Sequence, residues 1–134
     1  MATATELAIA TVDSGVEATD LAQTIFGSGI QILSATYYGD PNSAGIYSGA
    51  DTTIPGITGS DGGVILSTGN VADFTNSSGT PDTNTTDGTG TGTAGIDDDP
   101  LLNDVSGYQT FDGAILEAEF IPEGDMLTMQ FVFS

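Results

Sequence analysis

The apolar positions change period along the chain, and each change marks an element. Residues 7–12 make one short apolar run, closed by the turn signal Asp13-Ser14-Gly15, and read as a first strand. Over residues 16–26 the apolar positions Val16, Leu21, Ala22 and Ile25 fall at helical spacing, with Gly27 beyond them as a C-cap. Thr19 or Asp20 is placed to cap a shorter helix beginning at Leu21. One short helix is expected here and no other.

Residues 29–38 return to strand character, with Ile30, Ile32 and Tyr37 as candidates for burial. Gly39-Asp40-Pro41-Asn42 is a strong turn, and residues 44–47 form a short strand after it. Pro55 makes residues 52–57 an edge or irregular segment. The Ser60-Asp61-Gly62-Gly63 turn leads into a short buried strand at 64–67. Residues 75–95 contain no large apolar side chain. That stretch has no surface to bury against its ordering entropy and reads as one long loop. Residues 96–105 form a short connection, helical or irregular.

The most hydrophobic stretch is 112–134. Ala114, Leu116, Ala118 and Phe120 alternate with Ile115, Glu117, Glu119 and Ile121. After Pro122-Glu123-Gly124-Asp125 a second alternation places Leu127, Met129, Phe131 and Phe133 on one side. Two such runs around a Pro/Gly/Asp cluster predict an antiparallel hairpin. Short strands separated by turns predict an all-β fold, a β-sandwich or jelly-roll-like pair of sheets with one short N-terminal helix. The whole chain, residues 1–134, is expected to be a single domain.

Charge narrows the function. The 134 residues hold 19 carboxylates and no Lys, Arg or His, for a net charge of −19. No cation is available to replace phosphate counterions, so nucleic acid and anionic membrane are excluded as partners. No apolar run approaches the length of a membrane span, and membrane insertion is not expected. Residues 1–6 lack the basic and apolar pattern of a signal peptide. That leaves a cytosolic chain, another export route, or a signal outside these residues.

The missing residue types also remove most catalysis. Without His, Lys, Arg or Cys there is no Ser-His-Asp triad, thiolate, Schiff base or phosphate-binding lysine. Carboxylates and carbonyls remain, and these suit Ca²⁺. Asp97, Asp98, Asp99 and Asp104 are the candidate calcium ligands, in a cluster that also holds Asn103; the alternative reading of the triple Asp is a helix cap and first turn before Leu101. Asp82 to Gly88 resembles an EF-hand loop, but its Gly falls one place late and Thr93 stands at the twelfth position, so it is rejected as one. Asp13-Ser14-Gly15 matches the Asp-Ser/Thr-Gly loop of aspartic proteases, which would need a homodimer; turn chemistry explains the same residues. Glu117 and Glu119 share a strand face, as a glycosidase acid pair would, and also as the solvent side of a strand would. Asn76 and Asn84 begin glycosylation sequons in the long loop, a match that chance accounts for.

Three groups of residues carry a family resemblance: Gly39-Asp40; Gly63-Val64-Ile65-Leu66-Ser67-Thr68-Gly69; and Phe111-Asp112-Gly113-Ala114-Ile115-Leu116-Glu117 followed by Phe120-Ile121-Pro122. In this order, with the Thr/Gly/Asn loop between the last two, the chain from about Leu21 on resembles the choice-of-anchor L domain of bacterial extracellular proteins. The resemblance implies a secreted or surface-displayed, β-rich, non-enzymatic module of structural or adhesive type, and supplies no catalytic residue. In that family the strand at Phe131-Val132-Phe133 runs on into a Ser-Glu-Glu-Tyr motif and further strands. The chain stops at Ser134, so the C-terminal part of the family domain is expected to be missing. A hydrophobic last strand would then be a template for pairing with another chain. The expected partners are copies of the chain itself, in an oligomer or filament, or other surface proteins. A calcium-dependent glycan- or ligand-binding domain is the competing class.

Self-repulsion among 19 unbalanced carboxylates opposes the compact state. Thermal unfolding followed by circular dichroism is therefore expected to shift upward by several degrees as NaCl rises from ~10 mM to ~500 mM, because the screening length falls from about 30 Å to a few Å.

Overall fold

The computed structural model describes residues 7–56, 58–74 and 92–132. Its strands form two antiparallel sheets, and strands outweigh helices, as the sequence pattern requires. In the three-stranded sheet, β3 (Ala44–Ser48) lies between β1 (Ala8–Thr11) and β4 (Gly63–Leu66). The two-stranded sheet pairs β2 (Ile30–Tyr38) with β5 (Ile115–Pro122). The helix α1 (Ala18–Phe26) touches strands of both sheets.

The expected helix at 16–26 is present with its Gly27 C-cap at φ 70°. Its start is neither Thr19 nor Asp20 but Glu17, whose N–H donates to the Asp20 carboxylate at 3.0 Å. The acid at the third helical position satisfies an orphan N–H and suits the positive end of the helix. Leu21 and Ala22 are fully buried, and Phe26 meets Phe120 of β5 with ring centroids 4.7 Å apart.

Two expectations are corrected. The chain was expected to hold one helix, but α2 (Ala50–Thr53) and α3 (Pro100–Ser106) are also present. Both are short, so no long apolar periodicity announces them, and α3 begins where the helix-cap reading of the triple Asp places a start, with Asp99 as its N-cap. The C-terminal hairpin is also absent among the described residues: β5 pairs with β2, and 126–132 forms no strand. Period 2 identifies strand-forming residues without naming their partner. For β5 that partner is β2, which sets Ile32, Ala35 and Tyr37 opposite Phe120, Ala118 and Leu116. Glu117 and Glu119 face away, opposite Thr36 and Ser34.

The β2–β5 ladder contains a bulge. Ile32 pairs with Phe120 and Ser34 with Glu119, leaving Leu33 as the extra residue, 51 % exposed. The inward positions thereby switch from Ile30 and Ile32 to Ala35 and Tyr37. This explains how Ile30, Ile32 and Tyr37 share one face although strict alternation forbids it.

The core is small. Among the described residues, Leu7, Leu21, Ala22, Ile30, Ala44, Ala50 and Val71 are its buried apolar members. Replacing Leu21 by Ala removes the largest fully buried side chain from between the sheets and is expected to cost about 3 kcal/mol in urea unfolding. Gly39→Ala should also destabilise: φ is 141°, and a Cβ there would lie 3.0 Å from the Gly113 carbonyl oxygen.

Candidate functional site

Residues 39–44 gather more of the chain than any other turn. The Asp40 carbonyl accepts from the Tyr37 hydroxyl at 2.8 Å and from Ser43 N–H at 2.9 Å. The Asp40 carboxylate accepts from Asn42 N–H with one oxygen and from Ala94 N–H with the other, both at 2.8 Å. Pro41, Asn42, Ser43 and Ala44 carbonyls accept from Asp13, Val71, Ser67 and Val12 N–H groups. Ser43 is fully buried, and its hydroxyl donates to the Gly69 carbonyl at 3.0 Å. One turn thus ties together the ends of β1 and β4, the segment at Val71, and the chain returning at Ala94.

The two N–H donors at Asp40, Ala94 first and then Asn42, hold its carboxyl below the ordinary value of 3.8. Tyr37 is pushed up, first by burial and then by the neighbouring Asp40 charge. Neither group is arranged for catalysis: the carboxylate is occupied by backbone donors and the phenol donates to a carbonyl.

Three of the four calcium candidates accept hydrogen bonds from the protein itself. Asp99 caps α3, accepting from Leu101 N–H at 2.9 Å and Leu102 N–H at 3.0 Å. Asp97 accepts from Asp112 N–H at 3.0 Å, and Asp98 from the Asn103 side chain at 2.7 Å. Asp104 lies on the exposed side of α3. Among the described residues no three acids converge as metal ligands. The acidic loop at 82–88 and the sequons at Asn76 and Asn84 lie outside the described residues. Asp13-Ser14-Gly15 is a turn, with Ser14 and Gly15 N–H groups donating to the Thr11 and Val12 carbonyls. Glu117 and Glu119 are exposed on β5.

The sequence groups Asn103 with the acidic cluster at 97–104 but does not show the loop-closing contact it makes. Its side-chain oxygen accepts from both the N–H and the hydroxyl of Thr110, at 2.7 and 2.8 Å. Together with the Ile96–Gly113 bridge, it closes the loop that carries α3. Beside that loop lies an apolar groove of about 420 Å³. Leu66 and the residues after it form one wall, and Leu102 and Val105 of α3 the other. Phe111 and Ala114 add apolar surface, Ser106, Thr110 and Gly113 also contribute, and no charged residue lines it.

Two large apolar surfaces are therefore exposed: this groove, and the segment 126–132. In the latter Met126 is 79 % and Phe131 74 % exposed. Gln130 of that segment lies against Gly59.

Asp40→Asn keeps the shape of the side chain but leaves one acceptor oxygen for two donors. Because the folded carboxyl titrates below its unfolded value, its contribution is complete above pH ~4 and is lost as pH falls through the lowered value. The stability gap between wild type and D40N in urea melts is expected to be widest near neutral pH and to close below pH ~4.

No curated protein and no solved structure matches this chain. The family model described as the Choice-of-anchor L domain matches residues 10–134. The motifs at 39–40, 63–69 and 111–122 build the central turn, β4 and β5. The agreement over nearly the whole length places the chain in a family that is not known for enzymes and is associated with bacterial surfaces: it belongs to the Choice-of-anchor L domain family.

Proposed function

We propose that the protein is a non-enzymatic structural or adhesive module of the bacterial surface, and that it joins copies of itself by strand-edge pairing. Family membership supports the surface role. The observation that carries the pairing is the charge-free, exposed run Met126, Leu127, Thr128, Met129, Gln130, Phe131 and Val132, which follows an incomplete sheet. Two-stranded sheets are marginal alone, and among the described residues β2 and β5 each have one strand neighbour. A strand from a second copy would extend that sheet toward the sandwich that the pattern of short strands predicts. The hairpin expected within one chain is then made between two. No residue set is assigned to catalysis, and no calcium ion is needed for this contact.

Molar mass by light scattering after size exclusion, at physiological salt, tests the pairing. Assemblies are expected both in EDTA and in excess Ca²⁺, and Met129→Asp with Phe131→Asp should reduce them to monomers. Monomers in both buffers would overturn strand pairing. Assembly only with Ca²⁺ would replace it with carboxylates bridged by cations, the behaviour of a calcium-dependent surface domain.

A further inference from the structure

We infer that the groove beside α3 docks a cationic, amphipathic peptide segment of a partner protein. This is a second contact, separate from the strand edge. Its lining is apolar and uncharged, and the apolar residues on and around it are largely open to solvent: Val105 is 80 %, Leu101 63 %, Phe111 58 % and Leu66 44 % exposed. It is an open groove of about 420 Å³, not an enclosed cavity, as suits a peptide segment lying along the surface. Apolar residues clustered in this way on a surface mark an interaction site.

Charge selects the occupant. Every ionisable side chain that is charged at neutral pH is an acid, 19 in all, with no Lys or Arg to answer them. On α3 the exposed Asp104 lies between Leu102 and Val105 in sequence, and Asp112 lies between Phe111 and Gly113. A second copy brings another 19 negative charges to the contact, and an acidic partner is repelled in the same way. A segment with apolar side chains on one face and Lys or Arg on the other fills the groove and complements the surrounding charge. Apolar contact supplies specificity here, and the long-range field of the carboxylates supplies the encounter rate.

The test uses the full chain and a fluorescent synthetic amphipathic peptide of Leu and Lys, with a Leu/Glu peptide and a sequence-scrambled Leu/Lys peptide as controls. Anisotropy is expected to rise with the first peptide alone. Any cationic peptide is attracted to so acidic a protein, so the decisive readout is the sign of a charge substitution. Val105→Asp adds a negative charge and spoils the groove, and should weaken binding at least tenfold. Leu33→Asp adds the same charge on the bulge of β2 and should leave binding equal or tighter.

If V105D binds as well as or better than wild type, attraction is diffuse and the groove is not the site. Equal binding of the scrambled peptide, or no binding at all, also overturns the proposal. Circular dichroism checks that V105D folds, and Phe111→Ser supplies an independent lesion in the same wall. Should V105D change molar mass in light scattering but not peptide affinity, the occupant is a second copy and the proposal fails. Met129→Asp with Phe131→Asp must not weaken peptide binding, which separates this contact from strand-edge assembly.

Discussion

The turn at Gly39–Ala44 is the constraint on which the rest of the structure depends. Its backbone carbonyls and the Asp40 carboxylate receive N–H groups from Val12, Asp13, Ser67, Val71 and Ala94. These donors are far apart in sequence, so the turn fixes long-range geometry with main-chain bonds that depend little on side-chain identity. Among the described residues, seven buried apolar side chains supply limited burial to a chain that repels itself. Satisfied polar contacts therefore carry much of the specification, as at Ser43, which is fully buried and donates to the Gly69 carbonyl.

Much of this was legible in local pattern. The β1, β2, β3, β4 and β5 stretches, the α1 helix and the 39–42 turn are all encoded by short-range periodicity and turn chemistry. What short-range pattern lacks is pairing. The alternation at 114–121 shows a strand, but its partner is eighty-odd residues upstream, chosen by the match of Leu116, Ala118 and Phe120 to the inward face of β2. Nor does any local signal reveal that Asp40 reaches Ala94 or that Asn103 holds Thr110. Both residues look like ordinary turn and helix-end polar residues until the fold brings their acceptors and donors together. The triple Asp illustrates the same ambiguity from the other side: cap and metal ligand require the same side chain, and Asp99 is seen capping.

Charge and exposed apolar surface together define how such a module can associate. A uniformly acidic surface keeps copies apart unless the contact is free of carboxylates. The 126–132 run meets that condition for a second copy, whereas the groove between β4 and α3, uncharged in its lining but flanked in sequence by Asp104 and Asp112, suits a cationic partner. Attraction at the groove and backbone pairing at the 126–132 run would respond oppositely to salt, since screening weakens a cationic partner's approach but relieves repulsion between like chains.

The bulge at Leu33 has a consequence for how this chain tolerates changes in length. Before it the inward residues sit at even positions, and after it at odd ones. Without Leu33, Ile30, Ile32, Ala35 and Tyr37 would fall into one unbroken alternation against the same β5 residues. The extra residue is thus absorbed entirely at the surface. The strand can gain or lose one unit there without any inward side chain exchanging faces, a freedom that an insertion at any other position along the ladder would forfeit.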